Sequence, residues 1–270
     1  MKPRPARRQQ WLTLLLLCLP AFVCATETGS PAGRLPVIAL IIDDLGTQVT
    51  KGRRAINLPG PVAMSFLPGG EHTVELAKLA HDNKKEVMLH LPMQALGQQA
   101  HHRHSGELMA DMPQPEFLDT LSRNIAAIPH VSGINNHRGS LLTSTSSYMA
   151  WLMQALNAHG ELFFIDSRTT AETVAADMAQ AYGIPNASRN VFLDNEPTPQ
   201  AIRKQFRELV ERARRDGSAL AIGHPHPATL KVLREELPRL EEQGLQLVPV
   251  AQLIARQKER KLAWQGYSSR

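Results

Sequence analysis

Short apolar runs alternate with amphipathic helical patterns from residue 37 almost to the end of the chain. The runs that have the length and apolar content of buried strands lie at residues 37–42, 62–67, 86–91, 131–134, 162–165, 191–193, 219–222 and 245–248. Helical periodicity separates several of them, as in Phe117, Leu121 and Ile125. This alternation predicts parallel strands joined by crossover helices. With no long internal linker, the pattern favours one α/β domain built as a (β/α) barrel.

Residues 1–25 have the order of a secretory signal peptide. Basic residues precede an apolar stretch at 11–23, and the small residue Ala25 ends it, which predicts cleavage after that position. The stretch is shorter than the roughly 20 residues that span a bilayer. We expect a periplasmic or secreted protein with no stable membrane span after signal cleavage; an uncleaved anchor is the alternative. The remaining chain divides into a linker at 26–35, a globular domain at 36–258 and a polar C-terminal tail at 259–270.

Charge and cysteine content restrict the chemistry. The formal net charge is +5, but four of the 30 basic residues lie in the predicted signal, which leaves 26 against 25 acidic residues. We therefore expect no nucleic-acid partner. Both cysteines, Cys18 and Cys24, also lie in the predicted signal. The mature chain can therefore use neither thiol chemistry nor thiolate metal ligands.

Polar side chains follow most of the predicted strands. The carboxyl ends of parallel strands open onto one face, where active sites form. The polar residues at these ends include Asp43, Asp44, His90, Asn135, Asn136, His137, Arg138, Asp166, Arg168, Asp194, Asn195, His224 and His226. Each one alone is explained equally well by a turn or a helix cap. Their recurrence at six strand ends favours a common site.

These residue types indicate a metallohydrolase. Imidazole and carboxylate without cysteine suit a divalent ion, most plausibly Zn²⁺. Two neighbouring carboxylates can divide the work, one binding the ion and the other taking a proton from bound water. The chain has no glycine-rich nucleotide loop and no serine-hydrolase elbow. His101, His102 and His104 lie away from any predicted strand end, and we interpret them as part of a mobile loop.

The order of the motifs resembles the divergent polysaccharide deacetylase family, a branch of the NodB-like carbohydrate esterases. The motifs are Ile-Ile-Asp43-Asp44-Leu-Gly, His90-Leu-Pro-Met, Asn-Asn-His137-Arg-Gly-Ser, Phe-Ile-Asp166-Ser-Arg-Thr and Ile-Gly-His224-Pro. The resemblance covers residues 36–255. It implies a distorted (β/α) barrel of the NodB-like type that removes acetyl groups from polysaccharides with a divalent metal.

The resemblance also assigns roles to individual residues. It makes Asp43 the general base, Asp44 and His90 metal ligands, and His224 the acid that protonates the leaving group. The superfamily has a second metal histidine where this chain has Gln94, and we expect His137 to replace it. On this reading only a closed barrel brings His90 and His137 to one ion.

Further residues at the same rim are expected to bind substrate. These are Asn136, Asp166 and Arg168, with Asp166 holding either His224 or Arg168 in position. The third superfamily motif is absent, and residues 135–140 take its place.

The expected function is metal-dependent hydrolysis of acetyl groups, acting on C–N amide bonds of an envelope polysaccharide or glycan fragment. The aromatic content of 5% argues against a long stacked-sugar cleft and favours a short saccharide. One alternative is a non-catalytic envelope module that binds a glycan or a protein, for which Gln94 is the main argument. Another is a different metallohydrolase such as a phosphoesterase, although few basic residues beyond Arg138 and Arg168 reach the predicted site.

Overall fold

A computed structural model of the protein describes residues 34–99 and 105–268. The predicted signal peptide, nearly all of the predicted linker and the histidines at 101, 102 and 104 lie outside the described residues. Within the described ranges, no helix is both long enough and apolar enough to cross a membrane.

All strands of the domain run parallel in one curled sheet. They are β1 (Val37–Leu45), β2 (Ala63–Phe66), β3 (Val87–Met93), β4 (Val131–Arg138), β5 (Phe163–Asp166), β6 (Asn186–Ser188), β7 (Val191–Phe192), β8 (Ser218–Gly223) and β9 (Gln246–Leu247). The spatial order is β6-β5-β4-β3-β2-β1-β8-β7, and β9 pairs with β1. The predicted parallel α/β barrel architecture is therefore confirmed.

Helices pack on both faces of the sheet: Leu253 and Ile254 of the last helix share a hydrophobic cluster with Ile41 of β1, and the other helices pack on the opposite face. The helices are α1 (Val49–Ile56), α2 (Thr73–Asp82), α3 (Gln114–Ala126), α4 (Ser140–Thr143), α5 (Ser146–His159), α6 (Ala175–Ala181), α7 (Pro199–Asp216), α8 (Pro227–Glu236) and α9 (Val250–Ser268), with a 3₁₀ turn at Leu237–Arg239. Thr198 caps α7 through its side chain, which accepts a hydrogen bond from the Ala201 amide, and a proline fills the first position of the helix. Helix α9 continues past residue 258, so the predicted boundary between domain and tail falls inside a helix.

The barrel is open between its two terminal strands. Among the described strands, β6 and β7 pair only with β5 and β8 respectively. Two residues link them, and their backbone amides bond opposite sides of the opening: Arg189 N–H to Asp166 O at 2.9 Å and Asn190 N–H to Leu220 O at 2.8 Å. The described strands therefore form a curled half-barrel, in agreement with the predicted distorted barrel. The strand β6 was missed because Asn-Ala-Ser has neither length nor apolar character.

The core lies on both faces of the sheet. In β1, Ile38, Leu40 and Ile42 belong to the outer cluster under the helices. The alternate residues Val37, Ala39 and Ile41 belong to a separate inner cluster. Since successive side chains of a strand point to opposite faces, both faces of β1 are dry. The uninterrupted apolar sequence of this strand is the direct consequence.

Candidate active site

The inner face of the barrel changes from apolar to polar along the strands. Inner-cluster residues Ala39 and Ile41 of β1 are followed, two positions further, by Asp43. In β3, Met88 is followed in the same way by His90. After β8, Ile222 is followed by His224. The two-residue period of a strand therefore places a polar layer directly above the inner core, at the carboxyl ends of the strands.

A distortion at the end of β1 brings two consecutive carboxylates to this layer. A regular strand would send Asp43 and Asp44 to opposite faces. Here the register with β2 shifts between Ile42 and Leu45, and Asp44 has a φ of 59°. Asp tolerates this left-handed conformation better than most residues, at a cost of about 1–3 kcal/mol. The strained backbone therefore lies at the point where the chain brings the Asp43 and Asp44 side chains to the same polar layer.

Asp44, His90 and His137 form a compact triad. The distance from Asp44 Oδ1 is 3.3 Å to His90 Nε2 and 3.1 Å to His137 Nδ1. The two imidazole nitrogens are 3.0 Å apart. A tetrahedral ion with bonds of about 2.0–2.1 Å separates its ligand atoms by roughly 3.3 Å. The described residues therefore include a donor set with the spacing and chemistry of a zinc site.

The polar atoms of the triad also fit a cation. Asp44 Oδ1 is buried, and no donor in the described residues reaches it with hydrogen-bond geometry. Burial raises the pKa of Asp44, but His137 and His90 outweigh this effect and hold the pKa far below its ordinary value. Burial lowers the pKa of His90, whereas Asp43 and Asp44 raise it to a net value above its ordinary one. A positive charge between these groups therefore stabilises the carboxylates of Asp43 and Asp44. A proton or a divalent ion can supply that charge.

Asn135 orients this centre. Its Nδ2 donates to Asp43 Oδ1 at 2.9 Å and to Oδ2 at 3.0 Å. Its Oδ1 accepts from Ser65 Oγ at 2.6 Å and lies 3.1 Å from His90 Nδ1. Because Oδ1 can only accept, His90 carries its proton on Nδ1, and Nε2 is left to face Asp44. The sequence named Asn135 as a strand-end residue but gave it no role.

The two site histidines lie on neighbouring strands. β3 pairs with β4, and His90 is in register with Asn135, while Pro92 is in register with His137. Pairing of two adjacent strands therefore suffices to bring His90 and His137 together. The expectation that barrel closure is required was wrong for this reason.

Asp43 lies beside the triad but is held differently. Its side chain is buried, and its Oδ2 lies 3.7 Å from His90 Nε2. Burial raises the pKa of Asp43 above its ordinary value, and the charges of His90 and His224 only partly oppose this. A carboxylate with a raised pKa is a better proton acceptor near neutral pH. This geometry suits the predicted role as a general base.

Asp194 holds His224 on the opposite side of the site. Asp194 Oδ1 is 3.0 Å from His224 Nδ1, and Oδ2 accepts from the His224 backbone amide at 2.6 Å and from Thr229 Oγ1 at 2.7 Å. Burial lowers the pKa of His224, but the bond to Asp194 and the charge of Asp43 raise it to about 9. His224 is therefore protonated at neutral pH, with Nε2 3.7 Å from Asp44 Oδ2.

This pairing corrects one expectation about Asp166. The residue that holds His224 is Asp194, which follows β7; because β7 pairs with β8, the residues that follow the two strands are adjacent. Asp166 instead accepts hydrogen bonds from the Arg168 amide at 2.8 Å and from Thr173 Oγ1 at 3.0 Å. Asp166 therefore holds the backbone of Arg168, which is the second option that the sequence left open.

Asn136 is also used within the protein. Its Oδ1 accepts from the Ser167 amide at 2.8 Å, and its Nδ2 donates to Arg138 O at 2.7 Å. Asn136 and Asp166 are buried, and these contacts position neighbouring backbone; a contact of either residue with substrate stays a prediction. Arg168 is exposed, with a φ of 49°.

Arg189 supports the Arg168 loop and was missed by the sequence reading. Its Nε donates to Ser167 O at 2.6 Å and its Nη2 to Arg168 O at 2.9 Å. Its guanidinium carbon lies 5.0 Å from the centre of the Phe192 ring. Burial lowers the pKa of Arg189, and the charge of Arg168 adds to this effect. No motif marked this residue, because it follows a strand of three residues.

Gln94 points away from the triad. Its Oε1 accepts from the Ala110 amide at 2.8 Å and its Nε2 donates to Gln98 O at 3.1 Å. The side chain is buried and joins the two ends of the loop that follows β3. Gln94 therefore has a structural role. The three donors of the triad are present without any contribution from residue 94.

A second group of possible metal ligands comprises Asp194, His224 and His226. The Asp194 carboxylate already accepts bonds from Thr229 and from the His224 backbone and faces the His224 ring. His226 is exposed. An ion would have to break bonds that the fold has already made, so the first triad is the better candidate metal centre.

Comparison with known proteins agrees with this architecture. The family model of divergent polysaccharide deacetylases matches residues 40–254. The chain is 37% identical over 217 residues to the uncharacterized protein YibQ of Escherichia coli (strain K12), covering 80% of this chain and 66% of that protein, just under two thirds of its length. It is 31% identical over 221 residues to an uncharacterized protein of Haemophilus influenzae, covering 82% of this chain and 78% of that protein.

Solved structures share the fold. The uncharacterized protein ATU2773 from Agrobacterium tumefaciens C58 has a TM-score of 0.78 at 24% identity, covering 82% of this chain and 89% of that one. The peptidoglycan deacetylase PdaC from Bacillus subtilis has a TM-score of 0.50 at 15% identity, covering 86% and 98%. A mutant of BA3943, a CE4 family pseudoenzyme with restored enzymatic activity, has a TM-score of 0.50 at 16% identity, covering 82% and 68%. At these identities the likeness is one of fold.

Proposed function

The chain belongs to the divergent polysaccharide deacetylase family, and on that premise we propose that it is a metal-dependent hydrolase that removes acetyl groups from amino sugars of an envelope glycan. The observation that carries the proposal is the buried Asp44 Oδ1, which accepts no hydrogen bond from any described residue and lies 3.1 and 3.3 Å from two imidazole nitrogens. A structural core rarely retains such an atom unless a ligand completes it.

Asp44, His90 and His137 would hold the divalent ion, and the donor set suits Zn²⁺. When bound, such an ion polarises the acetyl carbonyl and lowers the pKa of a water molecule. His90 is presented in the correct tautomer by Asn135, whose amide also holds Asp43. One side chain thus fixes a ligand and the base relative to each other, as partners of metal ligands commonly do.

Asp43 and His224 carry the proton transfers. Asp43 takes the proton of the attacking water, and its raised pKa suits that task. His224, protonated with a pKa of about 9, donates to the departing nitrogen. An amine is a poor leaving group unless it is protonated, so this step matters as much as the attack. Asp194 positions His224 and favours its charged form.

The substrate class and the location belong to the same proposal. Proteins with this fold include one named a peptidoglycan deacetylase, which supports a glycan substrate. The predicted signal peptide at residues 1–25 supports a periplasmic or secreted location, where such glycans lie. N-terminal sequencing of the purified native protein should find Thr26 first; retention of Met1 would contradict cleavage.

A non-catalytic module that binds a glycan or a protein is the second candidate. It is favoured by Gln94 at the position of a superfamily metal histidine and by the pseudoenzyme among the proteins of similar fold. The enzyme is preferred because His137 supplies a nitrogen 3.1 Å from Asp44 Oδ1, so the donor set is complete without residue 94.

Acetate release separates the two candidates. Zinc-loaded protein is incubated with a panel of acetylated amino-sugar oligomers, and bound zinc is measured in parallel. Wild type should release acetate, Asp43→Asn should keep its zinc but lose about 10²–10⁴-fold in rate, and the exposed control Asp82→Asn should match wild type. No release by zinc-loaded wild type from any oligomer would favour the binding module.

A further inference from the structure

A cavity of about 260 Å³ opens beside the metal centre. One side of it is formed by Asp44, His137 and His224, so a molecule in this cavity contacts the reacting groups. The cavity is also lined by Thr47 and Gln48, which precede α1, and by Lys51 in its first turn; these three residues are the α1 side of the cavity. Drug-sized ligands occupy cavities of about 300–1,000 Å³, so this one has room for about a single sugar.

The side chains of Thr47, Gln48 and Lys51 are polar and have no hydrogen-bond or ion-pair partner in the described part of the chain. Gln48 precedes α1 but makes no capping bond with its side chain. Lys51 is half-buried and forms no ion pair with any residue in the described ranges, whereas Arg53 on the same helix pairs with Glu75 at 2.7 Å. Asp44 is the only acidic residue that lines the cavity, and it faces the two histidines of the triad. Lys51 therefore contributes a positive charge that no cavity carboxylate is free to balance.

This wall is fixed before any ligand binds. Gly46 has a φ of 113°, and a Cβ at this position would collide with the Thr73 side chain. A Cβ at Gly52 would collide with Leu76, so α1 sits in close contact with α2. Because Gly52 adjoins Lys51, this contact also sets the rotation of α1 that turns Lys51 to the cavity. A rigid wall reduces the entropy lost on binding.

The residues of the cavity do not provide a stacking surface. None of those that line it is a phenylalanine, tyrosine or tryptophan. Sugars that are not bound by stacking must be recognised through hydrogen bonds and charge. On the α1 side of the cavity the donors are a hydroxyl, an amide and an ammonium group, and the ammonium favours a ligand of the opposite charge.

We propose that this cavity binds the acetylated sugar itself and that Lys51 recognises an anionic substituent, a carboxylate or a phosphate, on that sugar. The inference rests on the proposed deacetylase function and narrows its substrate to acidic amino sugars. Lys51 is then a specificity-determining residue, since it lines the same cavity as Asp44 and His137 but is not one of the metal ligands.

Equilibrium binding of matched monosaccharides tests the assignment. N-acetylglucosamine and N-acetylglucosaminuronate differ only in the oxidation of the terminal carbon, and N-acetylglucosamine 6-phosphate tests the second source of charge. Dissociation constants are measured by NMR titration with the zinc-loaded full mature chain, wild type, Lys51→Met and the exposed control Lys78→Met. The same spectra report any acetate that is released, so binding and hydrolysis are scored separately.

The wild type and Lys78→Met should bind at least one acidic sugar about five-fold more tightly than the neutral sugar. Lys51→Met should lose this preference while retaining its zinc. The acidic sugar whose dissociation constant falls furthest below that of the neutral sugar identifies the substituent that Lys51 recognises. Equal binding of all three sugars by wild type, or a preference that survives in Lys51→Met because the anion contacts the metal, would overturn the assignment. Either result leaves the deacetylase proposal to stand or fall on acetate release from neutral oligomers.

Discussion

Replacing Asp194 by Asn removes the charge that holds His224 but keeps the shape of the side chain. The Asp194 side chain is fully buried and lies 3.0 Å from His224 Nδ1. Its other oxygen accepts from the His224 backbone amide and from Thr229. An Asn amide can keep an acceptor for only one oxygen position, so the charged imidazole loses its strongest partner.

The size of the effect follows from the pKa of His224. Burial lowers that pKa, yet Asp194 and the other carboxylates raise it from 6.5 to about 9. This difference corresponds to about 3 kcal/mol in favour of the protonated form. A hydrogen bond to a charged group contributes about 1.5–3 kcal/mol, so loss of Asp194 should lower the pKa of His224 by about 1–2 units. Because the folded pKa is raised, the stabilisation is complete below pH 6.5 and is lost as the pH rises through about 9.

Two measurements follow the change. The alkaline limb of kcat/KM for acetate release should move to lower pH by about 1–2 units in Asp194→Asn. NMR titration of the His224 ring should show the same movement in the absence of substrate. The exposed control Glu196→Gln should leave both curves in place. A uniform loss of rate at every pH with an unmoved His224 titration would refute the proposed role of Asp194.

Other substitutions test separate parts of the site. Gln94→His should bind no additional zinc and should lower the free energy of unfolding in urea by about 1–3 kcal/mol, since Gln94 joins the loop rather than facing the metal; a gain in zinc affinity would show that its placement is wrong. Asn135→Ala should weaken zinc binding about 10–100-fold in chelator competition, because His90 and Asp43 both lose their orienting partner; unchanged affinity would exclude that role. His224→Ala should retain zinc and fold but lose about 10²–10⁴-fold in acetate release, and retained activity would exclude it as the acid.

The fold was largely predictable because buried parallel strands leave a strong mark in the sequence. The inner and outer residues of β1 are all apolar, so the strand could be recognised without knowing its neighbours. β6 escaped the prediction because it has only three residues at one end of the strand order, and so short a segment carries no periodicity. The opening between β6 and β7 depends on pairings that no local pattern records.

The candidate metal ligands could be predicted from the sequence, but the hydrogen bonds that hold the site residues in place could not. Asp44, His90 and His137 follow apolar runs, and the period of two marks their face. The bonds of Asn135 to Asp43, of Asp194 to His224 and of Arg189 to the loop at 167–168 join residues 92, 30 and about 20 positions apart. Such contacts depend on three-dimensional register, and amide or carboxylate side chains occur equally often in turns.

The location of bound zinc tests the central claim most directly. An anomalous difference map at the zinc edge, from crystals of the zinc-loaded wild type, would place the ion without reference to activity. We predict one peak within about 2.0–2.2 Å of Asp44, His90 and His137. A peak on Asp194, His224 and His226 instead, or no peak within bonding distance of Asp44, would contradict the account.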